Sequence, residues 1–218
     1  MGNETIIDKK AIKAAYIDFL LHENERPKNV FVFVKELGIS ELDFYALFAS
    51  FEALEATILS DLLAETIEQL ETTEGASSKE KLAQLYHAYF NTLTENRSLL
   101  LILFDGGQKN LQNLKKIAKL RSTYLDFIVS INLQMSDFGN HTIVQIMHKS
   151  VSEVSWGQFI FTLNYWLNDV SPRFEKTHVL IDKCINTGFD LLKTSTVESI
   201  IDLGKFLFTD PFKSKETC

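Results

Sequence analysis

Only three prolines, Pro27, Pro172 and Pro211, interrupt 218 residues, and the stretches between them carry apolar side chains three and four apart. Proline breaks helices and strands alike, and closely turned β folds need frequent glycine and proline, so this pattern predicts a nearly all-helical chain. Lys9 to His22 lines Ile12, Ala15, Tyr16, Phe19 and Leu20 along one helical face. Lys79 to Thr94 does the same with Leu82, Leu85, Tyr86, Tyr89, Phe90 and Leu93, and Leu111 to Met135 with Leu114, Ile117, Leu120, Tyr124, Leu125, Ile128 and Ile131. His141 to Leu167 and Arg173 to Lys193 read as two further long helices, the second started by Pro172, and Val197 to Phe208 as a last amphipathic segment.

Within the first quarter the turn signals are dense. Asn29 is an N-cap for a short helix over Val30 to Leu37, Gly38 a C-cap able to adopt positive φ, and Ser40 an N-cap for the helix that follows. Ser50 and Glu52-Ala53-Leu54 open a fourth helix predicted to run to about Glu71, where Thr72 to Ser78 forms the clearest linker. Two short helices joined at Leu37-Gly38-Ile39-Ser40 have the form of a helix-turn-helix. The domains are placed at 1–55 and 56–218.

Composition limits the chemistry. The formal charge of −7 opposes binding to polyanions unless bases gather on one face. Cys184 and Cys218 form neither a disulfide framework nor a CxxC site, which fits a reducing cytoplasm. The longest strictly apolar run, Leu99 to Phe104, is too short to span a bilayer, and the N-terminus lacks the pattern of a signal peptide. His22, His87, His141, His148 and His178 supply no HExxH or close ligand cluster, so no metal is expected. Asp105-Gly106-Gly107-Gln108-Lys109 lacks the second glycine and Lys-Ser/Thr ending of a P-loop and reads as a turn. No nucleophile motif appears, and neither enzyme activity nor a cofactor is expected.

The pattern Ala14-Ala15, Phe19, Val30, Phe33-Val34, Leu37-Gly38-Ile39-Ser40, Tyr45, Phe48, Ser50 and Glu52-Ala53-Leu54 resembles the N-terminal domain of TetR-type transcriptional regulators. The resemblance implies an all-α, TetR-like fold: a three-helix head followed by a larger helical domain that binds ligand and dimerises. It makes Lys28, Asn29, Lys35 and Tyr45 the candidates for DNA contact. It also exposes a conflict. Glu41-Leu42-Asp43 stands where the family usually has Lys-Gly-Thr, Leu47 replaces a phosphate-binding histidine and Phe51 a lysine, so Glu41, Asp43, Leu47 and Phe51 face DNA unfavourably. Over residues 1–60 ten acids outweigh six bases.

In the larger domain, Tyr86, Phe90, Tyr124 and Trp156 are the candidates for lining an apolar pocket. Trp156, Phe159, Leu163 and Trp166 fall on one helical side, and the resemblance assigns Phe159, Leu163 and Trp166 to a two-fold dimer interface. The expected function is a ligand-responsive regulator whose acidic head has weakened DNA binding. Its expected partners are a second copy, operator DNA and a small apolar or amphipathic ligand. The alternative is a TetR-fold lipid- or isoprenoid-binding protein that does not bind DNA. The apolar tip from Ser199 to Phe208 packs on its own domain in one reading and rests on a membrane surface in another.

Overall fold

A computed structural model describes residues 8–70, 75–104, 111–131 and 141–193, the side chains of 111–115, 141–149 and 192–193 excepted. Among these residues all regular structure is helical. The order is α1 (Lys9–Glu23), α2 (Val30–Leu37), α3 (Glu41–Leu47), α4 (Phe51–Gln69), α5 (Ser78–Glu95), α6 (Arg97–Leu103), α7 (Leu111–Ser130), α8 (His141–Leu167) and α9 (Glu175–Lys193). The Asp105–Lys109 turn, Met135 and the Val197–Phe208 segment fall outside the described residues.

The helix starts follow the local chemistry. The side chains of Asp8, Asn29, Ser40, Ser50 and Ser77 each accept a hydrogen bond from a backbone N–H of the first turn, satisfying a donor that has no partner within the helix. Ser40 and Ser77 close reciprocal capping boxes with Asp43 and Glu80. Gly38 ends α2 at φ 68°, where a Cβ would be strained, and the N–H of Ile39 reaches back to the Val34 carbonyl at 3.1 Å.

Two boundaries differ from expectation. Asn96 separates α6 from α5, a break hidden by the unbroken apolar run after it. Pro172 begins a 3-10 turn through Phe174 rather than α9, because Arg173 and Phe174 both take left-handed φ, 54° and 55°. The N-terminus of α9 is secured instead by the buried Asp169. Its carboxylate accepts from the N–H and hydroxyl of both Ser171, at 2.8 and 2.7 Å, and Thr177, at 3.0 and 2.7 Å. Burial pushes this carboxyl up, but the four donors prevail and bring it down to about 2.

The core is continuous from head to body. Ile12, Tyr16, Leu20, Phe33, Val34, Phe44 and Phe48 fill the space among α1, α2 and α3, and Leu54, Leu59 and Leu63 carry the same apolar face along α4. There α4 packs on α7, while α5 packs on α4 and α9. The Val30–Val34 run, apolar all round its helix, buries Val30, Phe33 and Val34 and leaves Phe31 56% exposed.

Candidate nucleic-acid interface and effector core

The α2–Gly38–α3 unit presents the outer side of α3 to solvent. Glu41, Leu42, Asp43, Tyr45 and Ala46 are exposed, and Phe44 alone is fully buried. Of the four residues expected to face DNA unfavourably, Glu41 and Asp43 are exposed, with Asp43 also accepting from the Ser40 N–H at 2.9 Å and hydroxyl at 2.6 Å. Those bonds hold its carboxyl below the usual range. Phe51 does not face outward. It is half-buried, stacked on Tyr16 at 5.1 Å and edge-on to Phe33 and Phe44, and so belongs to the aromatic core of the head. Leu47 is likewise half-buried against that core.

The candidate contact residues Lys28, Lys35 and Tyr45 are exposed. Asn29 is exposed too, but its side-chain oxygen is committed to the Val32 N–H at 2.9 Å. Two other bases of the head are turned inward: Lys13 pairs with Asp61 of α4, and Arg26 makes a two-point contact with Glu55 at 2.7 and 3.0 Å. No Lys, Arg or His stands between Lys35 and Lys79, whereas ten carboxylates do, Glu41 and Asp43 among them. The exposed surface of α3 therefore has no cation of its own.

Glu55 is the centre of an ionic knot that spacing could not reveal. Fully buried on α4, it also accepts from the Tyr16 hydroxyl at 2.7 Å and pairs with the fully buried Lys116 of α7 at 3.1 Å. Lys116 Nζ donates in addition to the Leu103 carbonyl at the end of α6, 2.7 Å away, where a cation suits the negative end of the helix. Burial, then the Glu55 charge, pushes the Tyr16 hydroxyl far up, so it stays a donor. The knot joins α1, α4, α6 and α7.

In the body, the four pocket candidates come together around Phe159. Tyr124 lies 4.6 Å from Phe159, Trp156 stacks on it at 5.4 Å, Tyr86 meets it edge-on at 5.7 Å, and Phe90 is tilted at 6.2 Å. A polar thread runs through this cluster: the Tyr86 and Tyr124 hydroxyls are 3.0 Å apart, and Tyr124 is 2.6 Å from the Ser155 hydroxyl. Burial pushes Tyr86 well up. It pushes Tyr124 up to about 12 against the opposing hydrogen bonds from Ser155 and Tyr86, so both remain neutral hydroxyls.

The dimer assignment of Phe159, Leu163 and Trp166 needs correction. All three are buried within a single protomer, Phe159 and Trp166 completely. Trp166 packs on Phe90 of α5 and donates its indole N–H to Thr94 at 3.1 Å, while Arg97 covers its ring at 4.6 Å. A one-sided apolar stripe specifies burial, and here the chain's own α5 satisfies it.

One polar cluster escaped sequence inspection because its members lie 91 residues apart. His87 of α5 and His178 of α9 place their Nδ1 atoms 3.0 Å apart, and His87 Nε2 is 2.9 Å from Asp182. With ring centroids 5.2 Å apart and planes 16° apart, the rings meet edge to edge with little room for overlap, so one proton lies between them. Among the described residues no group of three His, Cys, Asp or Glu is arranged for a metal.

Burial, then the neighbouring His87, holds His178 below its ordinary 6.5, against the pull of Asp182 and Asp169. The folded state thus favours neutral His178, and its contribution to stability is present above pH 6.5 and lost as pH falls from there through the folded value. Melting curves at pH 7.5 and 5.5 are expected to show a smaller acid-induced drop in Tm for His178→Asn than for the wild type.

A helix-turn-helix head is joined to an all-helical body. The family model for the tetracyclin repressor-like C-terminal domain matches residues 81–207, and the chain belongs to this family of regulators. No curated protein matches the chain. Among the described residues, no helix is long and apolar enough to cross a membrane.

Proposed function

We propose that this protein is a ligand-responsive transcriptional regulator acting in the cytoplasm as a homodimer, with a head over 1–55 that holds DNA weakly and a body over 56–218 that takes a small apolar or amphipathic effector. The observation that carries this reading is a correctly capped helix-turn-helix whose α3 points outward and whose base is joined to α7 through Glu55 and Lys116. The exposed Lys28 and Lys35, with Lys9 and Lys10 at the start of α1, supply the phosphate contacts, and Tyr45 adds a hydroxyl. Tyr86, Tyr124 and Ser155 provide hydrogen-bonding groups among rings suited to an amphipathic effector. Effector binding acts by favouring one of two separations of the paired heads.

A second reading, an apolar-molecule carrier with no operator, is favoured by the missing cations on α3. Filter binding to genomic fragments at low and moderate salt separates the two. Saturable, sequence-preferring binding that falls steeply with salt is expected of the regulator. No binding even at low salt, together with a lipid-like mass retained in native mass spectrometry, would leave the carrier.

A further inference from the structure

The outer side of α3 is more apolar than a surface in contact with phosphate and water needs to be. Leu42 is 78% exposed and Tyr45 half exposed, and with the exposed Ala46 they follow an i, i+3, i+4 spacing that makes one side of α3. Glu41 and Asp43 flank Leu42, and no base lies on α3 or anywhere along α4. The small Ala46 leaves room for a neighbour's side chains around the Leu42 and Tyr45 anchors.

We propose that this side of α3 is a docking surface for a protein segment, specifically a basic amphipathic helix. Its apolar stripe would cover Leu42, Tyr45 and Ala46, and its Lys or Arg residues would meet Glu41 and Asp43. Charge complementarity selects this occupant. An anionic lipid surface or nucleic acid would bring its negative charge against both carboxylates, whereas a cationic helix gains from them and steers itself onto the leucine. The inference goes beyond the regulator reading and stands whether or not the lysines of α1 and α2 hold DNA. Where they do, partner and DNA compete for the head.

The test uses the full chain and a fluorescein-labelled amphipathic helix of leucine and lysine, followed by anisotropy, with a leucine–glutamate helix of the same pattern as control. Saturable binding of the basic helix alone is expected. Leu42→Asp discriminates, since it removes the anchor while adding negative charge: affinity should fall about tenfold or more, as for loss of a central apolar anchor. Tyr45→Ser should weaken binding in the same direction, and both positions are exposed enough to leave the circular dichroism unchanged. Unchanged or tighter binding by Leu42→Asp would mean diffuse charge attraction and would overturn the proposal. So would anionic vesicles binding the wild type through this side, seen as loss of that binding in Leu42→Asp. Failure of the regulator reading looks different: no DNA binding at all, with the peptide result intact.

Discussion

Glu55→Gln is expected to cost roughly 3–5 kcal/mol of stability, the range found when one partner of a buried ion pair is removed. The amide keeps the shape of the carboxylate, so little of the loss comes from packing. What remains is Lys116, wholly buried, with no countercharge beside it, and Arg26 facing a neutral group. Lys116→Met should cost less, because Glu55 keeps the two-point contact with Arg26 and the Tyr16 hydroxyl. In the double variant the uncompensated ammonium is gone, so Glu55→Gln with Lys116→Met should be more stable than Glu55→Gln alone. Urea unfolding checks the order, the shift being read in the midpoint at constant slope. A midpoint for Glu55→Gln within 1 kcal/mol of wild type, using the general slope of ~1–3 kcal/mol per molar urea, would show that the knot contributes little.

This knot also marks where sequence reasoning stopped. The head was legible because its signals are local: Asn29, Gly38, Ser40 and Ser50 act on backbone groups within a few residues, and the structure uses each as a cap or turn. Helical stripes were legible for the same reason. What a stripe meets was not. Phe159, Leu163 and Trp166 required an apolar neighbour, and periodicity cannot tell the chain's own α5 from a second copy. Phe51, aligned with a family lysine, followed its side chain's chemistry into the aromatic core. By spacing alone Lys116 is one more charge on a long amphipathic helix, and only the approach of α4 to α7 makes it a buried partner of Glu55, 61 positions away. Long-range polar pairs, His87 with His178 included, leave no periodic trace.

Glu41→Lys combined with Asp43→Asn is expected to raise the affinity of the head for duplex DNA of mixed sequence about tenfold at low salt. The reasoning rests on sign and position. Both residues are exposed on α3, and the wild-type helix has no cation to offset them, so each approach to a phosphate is repulsive. Asp43 has a second task, closing the capping box with Ser40, and asparagine retains an acceptor for that N–H while losing the charge. A threonine there would shorten the reach and confound charge with loss of the cap. Among the described residues Glu41 makes no such bond, so its reversal to lysine leaves the fold unchanged. The dependence of log K on log salt should steepen by about one unit per head, the signature of an added phosphate contact. Anisotropy titrations at several salt concentrations read both quantities. A double variant with wild-type affinity and slope would mean that α3 is not the side this head turns toward DNA, and the lysines of α1 and α2 would then have to grip the duplex without it.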